Sequence, residues 1–292
     1  MPKPDTGPTS ASFISQRLRL NYLDWGNHGA PVLILQHGGR DHAHSWDWVA
    51  RELSRDWHVI APDLRGHGNS AWSPDGGYSM SSFVYDFAQL VRHFGRNGPV
   101  RIVAHSLGGF IALRYAGLYP ETVHKLAAIE SWNIPPEFSE RLATMPIDAI
   151  WRAWIDERRA IGAKSSKAYP TIEAAVNRMM AENPHLSMEQ AQHLTVHGVT
   201  VNEDGTYSWK FDNYVYSVPP LDLTEDQIIH LRSRVSCPVL LMRGDNSWAI
   251  DPEAHGITRQ FKDARHITFS DAGHWPHHDK TAEFIAALRA FL

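Results

Sequence analysis

A single cysteine, Cys237, stands in 292 residues. An intrachain disulfide framework is excluded, and the chain suits a reducing compartment. Cys237 precedes Pro238 at a strand entry, where a small buried apolar role fits better than a nucleophile's. No run of 18 apolar residues occurs, so no membrane span is expected. The opening stretch, Met1-Pro-Lys-Pro-Asp-Thr-Gly-Pro-Thr-Ser10, lacks the apolar region of a secretory signal. A cytoplasmic location and a loose tail over residues 1–17 are the expectations. Charge of one sign is lacking too. The 28 Lys and Arg against 32 Asp and Glu leave a formal net charge of −4, with the basic residues scattered, so no nucleic-acid partner is expected. What the chain has in plenty is indole and imidazole, 11 Trp and 18 His. Most such residues fill cores or decorate surfaces, and some here are expected to line an apolar pocket.

This length can bury a sizeable core as one large domain, or as one domain with an insertion. Arg17–Asp24 alternates with period two, as a strand in an antiparallel pair at a sheet edge does. Val32–Gln36, Trp57–Ala61, Val100–Ala104, Leu126–Ile129 and Pro238–Arg243 are largely apolar runs of the kind a buried parallel sheet needs, and Arg265–Phe269 reads as one more strand. Helical patterns alternate with them, notably Ser82–Phe94, Leu107–Tyr119 and Thr281–Leu292. The result is a mostly parallel, doubly wound α/β sheet. The middle breaks the rhythm. Ile147–Ile161, Ile172–Glu182 and Ser187–His197 read as helices, and Thr200–Tyr216 as irregular or hairpin-like. The expected division is a core over 18–131 and 224–292, with a mainly helical cap inserted over 132–223.

Ser106 follows an apolar strand and precedes a helix, with Ala104 and Gly108 two places either side. This is the nucleophile-elbow pattern, whose tight, strained turn admits only small flanking residues. Four other segments end predicted strands, where open α/β sheets place their sites. They are Gln36-His-Gly-Gly-Arg40, Asp63-Leu-Arg-Gly-His-Gly-Asn-Ser70, Gly244-Asp-Asn-Ser-Trp248 and Ala272-Gly-His274-Trp-Pro. The Gly38-Gly39 pair lets backbone N–H groups face a cavity, as an oxyanion hole requires.

In that order and spacing, these motifs resemble the α/β-hydrolase superfamily from about Leu18 to Leu292. The resemblance implies Ser106 as nucleophile, His274 as its base, and oxyanion donors at the backbone N–H of Leu107 and Gly39. The bottom-up logic agrees, since a serine hydroxyl is a weak nucleophile until an imidazole takes its proton. The departure concerns the acid. The family usually carries it in Gly-x-x-Asp after the penultimate core strand, and Ser247 stands there instead. Asp245 lies two residues early. Glu130 ends the strand after the elbow helix, a location from which some members, including certain haloalkane dehalogenases, supply the acid. Glu130 is favoured over Asp245, with Asp251 third and better suited to capping a helix.

A serine at the elbow implies acyl transfer. The lead reading is a carboxylesterase-like serine hydrolase acting through an acyl-enzyme on a small hydrophobic ester-type substrate. A carbon–carbon-bond hydrolase of the meta-cleavage type and a catalytically silent small-molecule-binding homologue are the alternatives. Trp132, Trp154 and Trp248 are candidate pocket residues. Asp41-His-Ala-His44 and His274-Trp-Pro-His-His278-Asp279 contain metal-capable side chains. Zinc sites need three or four converging ligands, and the His-x-His-x-Asp-His string of metallo-hydrolases is absent, so neither metal nor cofactor is expected. A homodimer is left open.

Overall fold

Eight strands form one sheet in the order β1-β2-β4-β3-β5-β6-β9-β10 in the computed structural model, which describes residues 7–134, 144–163, 167–217 and 219–292. The strands are β1 (Thr9–Ser15), β2 (Leu18–Asp24), β3 (Val32–Gln36), β4 (His58–Pro62), β5 (Val100–His105), β6 (Val123–Ile129), β9 (Val239–Gly244) and β10 (Ala264–Phe269). β1 and β2 run antiparallel, as do β2 and β4; every other pairing is parallel. The continuous apolar runs explain this. The inner parallel strands are buried on both faces and need helices above and below, while the edge strand β10 buries only Phe269 fully.

Helices α1 (Asp47–Leu53) and α9 (Thr281–Phe291) cover one face, burying Val49, Leu53, Phe284 and Leu288 against Leu33, Leu35 and Leu240. Helices α2 (Met80–Phe94), α3 (Leu107–Leu118) and α7 (Glu225–Arg234) lie on the other. There Phe87, Leu90 and Ile111 pack on Ile34, Ile102 and Leu126. β4 lies on one side of β3 and β5 on the other, so the chain reverses its winding between β3 and β5. Their carboxyl ends open the crevice in which such sheets hold ligands, and the Gly38-Gly39 loop and Ser106 both lie there.

Between β6 and α7 the chain forms α4 (Ile147–Gly162), α5 (Ile172–Glu182), α6 (Met188–Gly198) and the hairpin β7 (Val199–Val201) with β8 (Tyr207–Trp209). Thr171 and Ser187 cap α5 and α6, and Ser187 with Gln190 makes a reciprocal capping box. A short α8 (Pro276–Asp279) follows β10. No helix among the described residues is long and apolar enough to cross a membrane.

The expectation of a loose tail over 1–17 fails over Thr9–Ser15, which is the edge strand β1. Residues 1–6 lie outside the described residues. Ala11, Phe13 and Ser15 face inward at period two; Phe13 meets Tyr22 and the Ser15 hydroxyl donates to Asp86 at 2.5 Å. Three of β1's seven residues are serine, which hid a strand whose partner supplies the large side chains.

Candidate active site

Ser106 joins β5 to α3 with φ 49° and ψ −120°, a left-handed conformation costly for any residue with a Cβ. The surroundings impose it. Its N–H donates to Ile129 O at 2.8 Å, and its carbonyl accepts from Phe110 N–H at 3.0 Å inside α3. The helix can approach the sheet so closely because Gly108 and Gly109 lack side chains. A Cβ at Gly109 would stand 1.8 Å from Ser131 Oγ, and one at Gly108 2.4 Å from His37 O.

The loop after β3 crosses directly against this elbow. A Cβ at Gly38 would lie 3.1 Å from that of Ser106, and one at Gly39 3.8 Å from the Leu107 side chain. Gly39 and Leu107, the expected oxyanion donors, therefore come from two segments in contact, and among the described residues neither N–H has a protein acceptor. The Leu107 N–H also opens α3, whose dipole places partial positive charge there. His37 orders the loop. Its Nδ1–H donates to Gly38 O at 2.6 Å and its Nε2 accepts from Leu64 N–H at 2.9 Å. Burial and the nearby His67 keep its pKa well below the usual imidazole range. In the Asp63–Ser70 segment, Asp63 accepts from Ala43, Asn69 and Asn21, and Arg65 pairs with Asp86 at 2.6 Å inside the protein. These residues hold loops together.

His274 follows β10. Its Nδ1–H donates to Glu130 Oε2 at 2.5 Å, and that carboxylate is wholly buried. Nε2 is then the nitrogen left to take a proton. The His274 loop is tied to the elbow through His105, the residue before Ser106, whose Nε2–H donates to His274 O at 2.8 Å. Burial and the neighbouring His274 push the His105 pKa well below the usual range, so it serves as a neutral strut.

Glu130 also has a positive φ, 49°, at the end of β6. That turn aims its carboxylate at the segment after β9. Oε1 accepts from Gly244 N–H at 2.9 Å, and Oε2 accepts from the Ser247 hydroxyl as well as from His274. A buried carboxylate is costly unless its oxygens are matched by donors, and three donors match this one. Ser247 thus stands in the frame expected for an acid and donates to the Glu130 carboxylate, which comes from the neighbouring strand. Asp245 is exposed, and its side chain has no hydrogen bond or ion pair among the described residues. Asp251 caps a turn through Glu253 N–H and Ala254 N–H.

Two cavities adjoin this group. One of about 210 Å³ is lined by Ser247, Trp248, His274, Trp275, His185 and Leu186. The other, about 120 Å³, is bounded by Gly39 and Arg40 from the core, Leu194 from α6, and Trp209, Phe211 and Tyr216 beyond β7. Of the expected pocket residues, Trp248 lines the first cavity and lies 5.1 Å from the His274 ring, centroid to centroid. Trp132 does not line either. It is buried in the core and donates its indole N–H to Ile250 O at 3.0 Å. Trp154 lies on α4, edge-on to Trp151 and beneath the Arg158 guanidinium. Sequence reasoning missed His105 as the strut and Ser247 as a donor to the acid. A serine in the frame where an acid is usual was a signal that another carboxylate needed that hydroxyl.

The sequence model of the alpha/beta hydrolase fold matches residues 31–281. The esterase Rv0045c of Mycobacterium tuberculosis is 26% identical over 294 residues, spanning all of this chain and 90% of that protein. The sn-1-specific diacylglycerol lipase ABHD11 of Mus musculus is 28% identical over 295 residues, spanning 98% of this chain and 89% of its own. Among solved structures, the thioesterase domain from the curacin biosynthetic pathway superposes with a TM-score of 0.86 at 22% identity, over 97% of this chain and 100% of that one, a likeness of fold alone.

Proposed function

The chain belongs to the alpha/beta hydrolase family, and from that membership we propose that it is a serine hydrolase with the triad Ser106, His274 and Glu130, cleaving small hydrophobic ester-type substrates through an acyl-enzyme. The single observation that carries the reading is the hydrogen bond from His274 Nδ1 to the buried Glu130 carboxylate, beside a serine held at positive φ on the elbow. A carboxylate on Nδ1 fixes the tautomer in which Nε2 accepts a proton, and it stabilises the imidazolium once formed.

In this mechanism Ser106 Oγ attacks the substrate carbonyl carbon while His274 Nε2 takes the hydroxyl proton. The oxyanion receives the N–H groups of Gly39 and Leu107. Collapse expels the alcohol, which leaves with the proton from Nε2. Water then attacks the acyl-serine, giving its proton to the same nitrogen, and the acid is released as Ser106 recovers its hydrogen. A serine at the elbow favours this route over an alkyl-ester route, which needs a carboxylate nucleophile there. The core-and-cap division at 132 and 223 is part of the proposal. The connection between α5 and α6 supplies Asn183 and Leu186 to the cavity walls and α6 supplies Leu194, and the aromatic lining suits an apolar acyl or alcohol group.

A fluorophosphonate probe tests the nucleophile. It is expected to label the native chain once, at Ser106, with Ser106→Ala unlabelled and inert on p-nitrophenyl acetate and butyrate. Equal labelling of Ser106→Ala, or native protein inert on a panel of short esters, thioesters and lactones, overturns the reading.

A further inference from the structure

Imidazoles also gather away from Ser106. His44 lies in the 3-10 turn Ala43–Trp46, and Asp47 opens α1. Three positions apart, the two share a face. His193 and His197 lie four positions apart on α6 and share a face there. The fold turns these faces toward each other across 149 positions of sequence. His44 Nδ1 lies 2.9 Å, and His193 Nε2 3.0 Å, from the same oxygen, Asp47 Oδ2. The His44 and His197 rings stack at 3.7 Å, and the His193 ring is 4.6 Å from that of His197. One donor atom from each of the four residues falls within 4.8 Å of the other three. Asp47 Oδ1 is buried without a partner. The His44 and His193 side chains keep 20% and 27% of their exposure, so a small ion has a way in.

We propose that His44, Asp47, His193 and His197 bind one divalent transition-metal ion of the zinc type and so clasp α6 to the Ala43–Leu53 segment. Three imidazole nitrogens and one carboxylate oxygen supply four ligands of the types zinc binds, enough to complete a tetrahedral shell. Imidazole-rich sites suit zinc, cobalt, nickel and copper, whereas oxygen-only sites suit magnesium and calcium. With bonds of about 2.0–2.1 Å, tetrahedral ligand atoms stand roughly 3.3 Å apart. The two contacts to Asp47 are already inside that spacing, and the remaining atoms close by side-chain rotation. Coordination at Nδ1 leaves the His44 proton on Nε2, and coordination at Nε2 leaves the His193 proton on Nδ1. The two hydrogen bonds to Asp47 are exchanged for bonds to the ion. Four protein ligands leave no open position for a reacting water, so the ion is structural.

The clasp has a consequence for the neighbouring cavity. α6 presents Leu194 and Gly198 to the space beside Gly39. An ion bound between His193, His197 and the core would hold that wall in place. The sequence expectation is of no metal, and the pair on α6 shares no local motif with Asp41-His-Ala-His44.

Metal-stripped full-length protein titrated with Zn²⁺ and, separately, with Co²⁺ tests the site. One equivalent of each is expected to bind, Co²⁺ with the intense visible absorption of a tetrahedral complex, and Zn²⁺ with a rise in Tm. His193→Ala and His197→Ala are each expected to weaken Zn²⁺ by roughly 100-fold, about one ligand's share of a four-ligand site, and to abolish the cobalt bands. Their circular dichroism and metal-free ester turnover should match the native chain. Should an alanine variant misfold, His193→Gln is expected to show the same loss while keeping a donor to Asp47. Native protein that takes up no ion, cobalt bands of the weak octahedral kind, or variants that bind as tightly as the native chain would each overturn the clasp.

Discussion

Replacing Glu130 by glutamine turns one oxygen of a wholly buried carboxylate into an amide nitrogen at nearly unchanged shape. Glu130 accepts three hydrogen bonds, from Gly244 N–H at 2.9 Å, from the Ser247 hydroxyl, and from His274 Nδ1 at 2.5 Å. Glutamine has one acceptor oxygen to offer. If that oxygen turns to His274, the amide NH₂ faces the fixed Gly244 N–H. Two buried donors then oppose each other at a cost of about 1–3 kcal/mol. If it turns to Gly244, the NH₂ meets Ser247 Oγ, which can accept, and His274 Nδ1, which must give up its proton to accept. The second arrangement is the cheaper. It moves the His274 proton to Nε2, the nitrogen that must receive the proton of Ser106, and removes the charge opposite the imidazolium. The same change of acid to amide in the Ser-His-Asp triad lowers kcat by about 10⁴. At 1.36 kcal/mol per decade that is about 5.4 kcal/mol of barrier here. Stability should fall by about 1 kcal/mol, because only one acceptor is lost. Initial rates on p-nitrophenyl butyrate near neutral pH, with urea unfolding as control, measure both. Asp245→Asn should leave turnover within about twofold, its carboxylate being exposed. Glu130→Gln within tenfold of the native rate, with Asp245→Asn crippled, would refute the assignment.

Ser247→Asp added to Glu130→Gln returns a carboxylate to the usual frame and should recover at least tenfold of the lost kcat; no recovery would show that the frame cannot reach His274. Gly109→Ala should cost about 1–3 kcal/mol through overpacking against Ser131 Oγ, and Ser131→Gly in the same chain should return most of it in urea melts. Acid should unfold the protein early. Burial pushes His42 and His278 down to about 3 and His67 to about 4, so as pH falls below 6.5 the unfolded chain takes up protons that the folded chain refuses. Their contribution is complete above about pH 6.5 and is lost progressively as pH falls toward about 3. Asp41, pushed up to about 7 by burial, works the other way with a single proton. His37 and His105, also held well below the usual range, add to those three imidazoles, so against the one carboxyl the net loss is at least about 2 kcal/mol between pH 6.5 and 5.5. Urea midpoints that stay flat or rise over that interval contradict it.

The elbow was legible because its constraint is local. Small residues at 104, 108 and 109 around a serine answer to contacts within one turn of chain. The parallel strands were legible because burial on both faces demands continuous apolar runs. β1 was not, because its small inward residues carry no pattern until β2 and α2 lie against them. Trp132 and Trp154 are pocket candidates by their place in loops or the cap and by the chain's abundance of tryptophan. Composition says nothing about which way an indole faces, and the fold turns Trp132 into the core.

By itself the sequence determined the family, the alternation of strands and helices along the chain and the elbow turn at Ser106, since each motif behind them is made of residues near one another in the chain. Only the tertiary structure decided which carboxylate meets His274. Glu130 and His274 are 144 positions apart, and a positive φ at the end of β6 closes that gap. It also decided that two histidines of α6 face His44 and Asp47. Hydrogen bonds and metal bonds act over about 3 Å or less, so their partners are settled by packing, where no local pattern reaches.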